Sequence, residues 1–340
     1  MQSLNTSPSV SIVLPIYNGA RWIKRSMLSV LEQSLSDFEL IVIDDGSVDH
    51  SWDVISSFSD KRILAIKQPN CGLAATLNIA VRSAQAPYIA RQDQDDLSFP
   101  SRLQKQAEFL IANPDIGMVG TSAEIWVGDT KTNRLLEHPA DDASIKFNLL
   151  FDNPFVHSSV MIRRSVFEQV GGYCEDKSRQ PPEDYELWSR VAREFKVANL
   201  PEVLLAYREV PGSMSRTGLN PFLNRLIKIS AENIAWYSGH DIESPEVVAI
   251  SRLAHAVYEG IPRGIRFSRI EDVINDAATS IIQKSEVSSN TLDQLIKMRI
   301  TMLQYHYYQY RTGGWVRKLF GERLERQIRS VARRIISVTQ

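Results

Sequence analysis

Short apolar runs alternate with amphipathic segments through the first half of this chain, and that rhythm restricts the folds open to it more than any other feature. Residues 10–14, 40–43, 63–67 and 88–91 read as strands, and residues 22–33, 52–58 and 73–84 between them carry helical spacing. Strands and helices in strict alternation, joined by short connections, predict an α/β fold with a mostly parallel central sheet covered on both faces. In such sheets ligands bind beyond the carboxyl ends of the strands. The polar residues at those ends are therefore the candidates for function.

Three acidic clusters stand out, two of them where a strand stops. The first is Asp44-Asp45-Gly46-Ser47-Val48-Asp49. Its structural reading is a turn in which Ser47 or Asp49 caps the next helix. The second, Arg91-Gln92-Asp93-Gln94-Asp95-Asp96, follows apolar Tyr88-Ile89-Ala90 directly. Crowded carboxylates at the end of a buried strand repel one another and lose solvation. A divalent metal relieves that conflict, since Mg2+ or Mn2+ accepts one or two carboxylates together with phosphate oxygens; a solvated acidic loop relieves it too. In the third, two prolines precede Glu183-Asp184-Tyr185-Glu186-Leu187-Trp188. That order suits a helix start, where carboxylates face the positive end of the dipole.

From about residue 216 the pattern changes to helical periodicity over 221–238, 245–259, 268–285 and 290–310. Two domains are expected, a sheet domain over 1–215 and a helical region over 216–340. Net charge is −1, which gives no bias toward nucleic acid. Cys71 and Cys174 lie far apart and outside any metal-ligand spacing, so a reducing cytoplasm is the expected compartment. The N-terminal residues lack the pattern of a signal peptide, and no run reaches the roughly 20 apolar residues of a spanning helix.

Taken together, VSIVLPIYNGARW with FELIVIDDGSVD, NCGLAATLNIA, YIARQDQDDLSFPSRLQKQ, NPFVHSSVMIRRSVFEQVGGY, PPEDYELWSRVA and LPEVLLAYREVPGSMS resemble the family-2 glycosyltransferases over about residues 8–215. Each motif is weak alone; their order and separations are specific. The resemblance implies the nucleotide-sugar-binding GT-A fold and inverting transfer of a hexosyl or N-acetylhexosaminyl group. The donor would be a nucleotide-diphosphate sugar, most commonly a UDP-sugar, and the acceptor a saccharide or lipid-linked saccharide of cell-surface polysaccharide synthesis.

The resemblance also implies roles for residues. Pro15, Tyr17, Asp45 and Gln94 would line the nucleotide-sugar site, with Asp45 accepting an N–H from the base. Asp93 and Asp95 would form the DXD pair that holds Mn2+ or Mg2+, with Asp95 the principal ligand and Asp93 on the ribose or sharing the ion. Asp184 would be the general base. His157, Gly171, Gly172, Tyr173, Glu183 and Trp188 would shape the acceptor side. Two positions depart from the family pattern: Leu77 where relatives often carry Arg, and Val210 where they often carry a His that reaches the metal or diphosphate. Arg208 and Glu209 are the polar residues beside that gap. A nucleotidyltransferase would show a basic, glycine-rich segment near the N-terminus, unlike LPIYNGARW; a catalytically silent nucleotide-sugar-binding module is the other alternative.

The C-terminal stretch 311–336 is basic, and Val316, Phe320, Leu324, Ile328, Val331 and Ile335 fall on one helical face. Two readings remain open. One is an amphipathic helix on an anionic membrane, which would place the protein peripherally on the inner face of the cell membrane. The other is a helix packed on the catalytic domain. The aromatic run 305–310 is expected to pack internally.

Overall fold

The computed structural model describes residues 7–210, 219–285 and 290–312. Nearly all of the 311–336 stretch, and Pro211-Gly212-Ser213, lie outside the described residues. The elements run β1 (Val10–Ile16), α1 (Ile23–Leu31), β2 (Phe38–Asp45), α2 (Ser51–Ser56), β3 (Ile63–Gln68), α3 (Leu73–Ser83), β4 (Tyr88–Arg91), β5 (Leu97–Ser98), α4 (Arg102–Ala112), β6 (Ile116–Val127) and β7 (Thr130–Leu136). They continue with α5 (Asp142–Asn148), β8 (Met161–Arg163), α6 (Arg164–Val170), α7 (Glu183–Glu194), β9 (Lys196–Glu209), α8 (Leu219–Ser238), α9 (Pro245–Ala254), α10 (Phe267–Ser285) and α11 (Asn290–Arg311). A 3-10 turn at His157–Ser159 precedes β8.

The chain divides into two compact units, Met1–Ala140 with Phe155–Thr217, and Asp141–Pro154 with Gly218–Gln340. In the first unit the strand order is β3-β2-β1-β4-β8-β6-β9-β5, with β7 paired to β6. Strands β3, β2, β1 and β4 are mutually parallel, and β6 and β9 share their direction across the antiparallel β8. All seven residues of β1 are buried, as a central strand covered on both faces requires. Its apolar side chains join those of β2 and of α1 and α4 in one core around Ile12, Leu14, Met27, Leu40 and Leu103. Parallel pairing brings the ends of β1, β2 and β4 to one edge, so Ile16 neighbours Asp44 and Val13 neighbours Arg91. This is what gathers the acidic turns.

The second unit is helical, with a core that includes Phe147, Ile234, Ile250, Ile274 and Leu303. Ser244 caps α9 by accepting the Val247 N–H, with Pro245 in the first turn. That helix stops at Ala254, short of the expected residue 259: Ala256 takes a left-handed φ of 55°, and the Val257 N–H turns back to the Arg252 carbonyl. This is a helix-ending pattern that usually employs glycine and that periodicity does not register. Within 305–310, Tyr307 and Tyr310 donate to the carbonyls of Ile265 and Ile261, while Tyr308 is exposed. A second difference concerns 141–154, expected within the sheet domain. These residues belong to the helical unit, where Asn233 and Ser230 donate to the carbonyls of Leu149 and Leu150. A short apolar helix is equally compatible with either core, and only packing assigns it.

Candidate active site

At the end of β2, Asp45 is buried and its carboxylate is held by the following loop. Oδ1 accepts from Gln68 Nε2 at 2.8 Å and the Cys71 N–H at 2.9 Å, and Oδ2 accepts from the Gly72 N–H at 2.9 Å. Burial pushes the carboxyl up, but these hydrogen bonds outweigh it and leave the pKa below the usual range. Asp45 is thus an ionised anchor for residues 68–72, and Gly72, at a φ of 92°, turns that loop into α3. Asp44 accepts the Ser47 N–H, and Asp49 accepts both the N–H and the hydroxyl of Ser51 at the start of α2. Asp49 thus makes a local turn bond ahead of α2, whose cap position is His50 and carries no side-chain cap bond. Ser47 instead accepts the Asn18 N–H at 2.9 Å.

The loop after β1 is tied to the second acidic cluster by Gln94. Its Oε1 accepts the Tyr17 N–H at 2.9 Å and its Nε2 donates to the Tyr17 carbonyl at 3.2 Å. Both ends of the Gln94 amide are committed to positioning Tyr17, whose ring is half exposed, whereas Pro15 is buried within β1.

The three aspartates after β4 have different surroundings. Asp93 pairs with buried Arg91, Nη2 to Oδ1 at 2.5 Å. Asp96 turns inward, accepting from the Ser158 hydroxyl and, at 2.7 Å, from the Arg208 N–H. Complete burial, then repulsion from Asp95 and Asp93, pushes its carboxyl well up. Asp95 is pushed up to about 6, first by burial and next by Asp93, with Arg208 and Arg91 opposing. Asp95 is partly exposed, so a cation can reach its carboxylate, whereas Asp96 is enclosed. Among the described residues no three His, Cys, Asp or Glu side chains converge as a complete metal cage. Two neighbouring carboxylates such as Asp93 and Asp95 are of the oxygen-ligand type that Mg2+ and Mn2+ accept beside waters and phosphate oxygens.

The residues expected on the acceptor side form a connected cluster next to Arg91. His157 is partly buried; its Nε2 lies 3.3 Å from Arg91 Nε, which can only donate, and 3.2 Å from the Tyr173 hydroxyl. Nε2 is therefore the acceptor, and the proton sits on Nδ1, 4.0 Å from Glu183 Oε1. Burial first and Arg91 second hold the His157 pKa down to about 3. Glu183, buried at the first turn of α7, is raised to about 7 by burial and then by Asp184. Asp184 follows it on the same turn, partly exposed, with Oδ1 accepting the Tyr185 N–H at 2.7 Å. Trp188 is fully buried, its ring centroid 5.9 Å from that of His157 and 6.2 Å from that of Tyr173, so it backs both rings from within the core.

Gly171 and Gly172 carry the chain into this cluster. Gly171 has a φ of 82°, and a Cβ on Gly172 would collide with Asn78 Oδ1. Arg190 on α7 clamps the same turn, donating to the carbonyls of Val170 and Gly172 at 2.5 and 2.7 Å, while Glu186 pairs back to it at 2.8 Å.

The structure thus brings Asp93, Asp95, His157, Tyr173, Glu183 and Asp184 into one electrostatic neighbourhood through Arg91, with Gln94 and Tyr17 joined beside it. Sequence reasoning missed Arg91, Asn78, Arg190 and the placement of Arg208. Arg91 is adjacent to the acidic cluster, and a lone cation beside crowded carboxylates was the available signal; the other three act across sequence distances that carry none. Leu77 is fully buried, and Glu209 is paired with Arg134 at 2.6 Å.

The first unit is thus a mixed sheet with six strands in one direction, carrying acidic turns at the ends of β2 and β4. The model of the family described as Glycosyl transferase family 2 matches residues 11–171. EpsE of Bacillus subtilis is 34% identical over 233 residues, covering 66% of this chain and 82% of EpsE. The O-antigen biosynthesis glycosyltransferase WbnJ of Escherichia coli is 31% identical over 214 residues, covering 61% of this chain and 82% of WbnJ. In fold, the chain is similar to S. aureus TarS 1-349 crystallised with UDP-GlcNAc, at a TM-score of 0.58 and 16% identity over 90% of this chain and 92% of that one. The chain belongs to glycosyltransferase family 2.

Proposed function

We propose that this glycosyltransferase moves a sugar, with inversion, from a nucleotide-diphosphate sugar to a hydroxyl of a saccharide or lipid-linked saccharide, with Mn2+ or Mg2+ at Asp95 and Asp93. The observation that carries this reading is the partly exposed carboxyl of Asp95 beside Asp93 at the end of β4, pushed up despite Arg208 and Arg91, in one neighbourhood with the Glu183–Asp184 pair. Bound there, the divalent ion would neutralise the negative charge that grows on the departing diphosphate. Asp184 takes the proton of the acceptor hydroxyl as its oxygen forms the new bond to the anomeric carbon. The bond from that carbon to the diphosphate oxygen breaks on the opposite face, and the nucleoside diphosphate leaves with the electron pair. One displacement inverts the anomeric centre, so an α-linked donor gives a β-linked product.

Asp45, Tyr17 and Pro15 are assigned to the nucleotide, with Gln94 acting through Tyr17. UDP-sugars are the first donors to test, because TarS, which shares the fold, was crystallised with UDP-GlcNAc. The likeness to WbnJ supports a role in surface polysaccharide synthesis. The basic tail 311–336 is assigned to an anionic membrane surface; no helix among the described residues is long and apolar enough to cross a membrane. The test of the reading is a panel of UDP-, GDP- and dTDP-sugars, assayed for slow hydrolysis with Mn2+ or Mg2+ and with EDTA. Metal-dependent release of one nucleoside diphosphate is expected. No release from any donor returns the chain to a binding module.

A further inference from the structure

Arg208, at the end of β9, is buried although it bears a charge, and its backbone N–H, Nε and Nη1 all have partners. Its backbone N–H donates to Asp96 Oδ1 at 2.7 Å, and its Nε donates to the backbone carbonyl of Asp95 at 2.7 Å. Its Nη1 donates to the Gly128 carbonyl and lies 3.0 Å from Asp129 Oδ1, at the tip of the β6–β7 hairpin. The guanidinium carbon stands 4.4 Å from the centroid of the Trp22 ring and 5.6 Å from that of Trp126. One side chain therefore joins the acidic turn to the hairpin tip and to the entry of α1.

We infer that Arg208 is a positioning residue for nucleotide binding: it fixes the main chain of the Asp95–Asp96 turn so that Asp95 presents its carboxylate to the cation of a bound nucleoside diphosphate, without touching either. This rests on the reading of Asp95 proposed above. The physical argument is geometric. A cation site works only if its carboxylates are held to within about half an ångström. Asp95 has no regular element of its own, lying between β4 and the two-residue β5. Arg208 holds this turn at two successive residues, by the carbonyl of one and the carboxylate of the next. The planar fork of a guanidinium can meet a carbonyl on one edge and a second carbonyl with a carboxylate on the other while stacking on indole rings. A lysine ammonium keeps the charge but cannot span those acceptors. The competing account is that Arg208 only fastens the hairpin to the sheet, and it makes a different prediction.

The test measures binding of UDP, with GDP as a second probe, to the full-length chain by calorimetry, with Mn2+ and again with EDTA. Wild type, Arg208→Lys and Asp129→Asn are compared, with Tm recorded for each. Arg208→Lys should weaken nucleotide binding in Mn2+ by about ten-fold or more, the usual consequence of losing a group that orients a metal ligand. Binding in EDTA should stay as in wild type. Asp129→Asn, which loosens the guanidinium from the far side and leaves the acidic turn intact, should move the Mn2+ value in the same direction by less. Equal losses with Mn2+ and EDTA, or a lowered Tm with an unchanged Mn2+ dependence, overturn the inference and leave Arg208 a fastening of the hairpin. If the wild type itself binds both probes without regard to Mn2+, the metal reading of Asp95 fails and this inference falls with it.

Discussion

Asn78 holds Tyr173 by both of its backbone polar groups: Nδ2 donates to the Tyr173 carbonyl at 2.9 Å, and Oδ1 accepts the Tyr173 N–H at 2.8 Å. The two residues are 95 positions apart, so α3 fixes the loop that carries Tyr173. Nδ2 also reaches Glu175 at 2.7 Å. The arrangement requires a glycine at 172, because Asn78 Oδ1 occupies the place of a Cβ.

Gly172→Ala is therefore expected to cost about 1–3 kcal/mol, the usual range for overpacking a filled site, and to reduce transfer. Asn78→Ala removes the obstacle but leaves the Tyr173 N–H without its acceptor, a loss of similar size. Because both act on one contact, the double variant should lose less than the two singles added together. Denaturation midpoints of the four proteins decide it, and strict additivity would show that the clash is not the cause.

Asp184→Asn should lower turnover by about a hundred- to ten-thousand-fold, the usual worth of a positioned base, while nucleotide-sugar affinity in metal stays near wild type. If Asp184 only serves the helix start, Asn caps well too and turnover stays normal. Glu183→Gln is the informative partner, because burial and Asp184 raise Glu183 to about 7. With Asp184 as base, Glu183→Gln is the milder change. Wild-type turnover in Asp184→Asn with a dead Glu183→Gln moves the base by one residue.

Acid sensitivity should be traceable in part to His157. Its folded pKa of about 3 lies below the ordinary 6.5, so between those values the unfolded chain takes up a proton that the folded chain refuses. The corresponding stability is present above pH 6.5 and is lost as the pH falls toward about 3. Thermal scans at pH 7 and pH 5 should show a smaller acid-induced drop in Tm for His157→Gln than for wild type. Equal drops would mean that His157 titrates normally in the folded state.

Removal of metal gives the plainest outcome. EDTA should abolish transfer and Mn2+ restore it, and Asp95→Ala should stay inactive at any Mn2+ concentration while weakening UDP binding in Mn2+. Full activity of the wild type in EDTA would sink the assignment of Asp95.

Truncation after Arg311 should release the protein from vesicles containing anionic lipid, and salt should weaken binding of the intact chain, since polybasic attraction is screened. Co-sedimentation at low and high salt measures both. Unaltered vesicle binding by the truncated chain, or a collapse of its folding, would favour a tail that packs on the protein.

The local elements were legible in the sequence because period and strand ends are local properties. Strands β1 to β4, helices α1 to α3 and the helices α8, α10 and α11 all stand within a few residues of where apolar spacing places them. The acidic turns after β2 and β4 were legible for the same reason: a parallel sheet delivers its strand ends to one edge, and the carboxylates there could be named before any coordinates. Tertiary structure alone decided what surrounds those carboxylates. Asp93, Asp95 and Asp96 are near-neighbours of identical chemistry. The fold pairs Asp93 with Arg91, turns Asp96 inward to Ser158 and Arg208, and leaves Asp95 partly exposed with its carboxyl pushed up. Gln94, assigned from the sequence to the nucleotide-sugar site, has its amide committed to the Tyr17 backbone. The assignment of helix α5 to the helical unit, the hold of Asn78 on Tyr173 and the reach of Arg208 across the hairpin are contacts between residues distant in sequence. Side-chain periodicity records which face a residue turns inward; it does not record which partner waits there, and that partner sets the charge state and the work of each group.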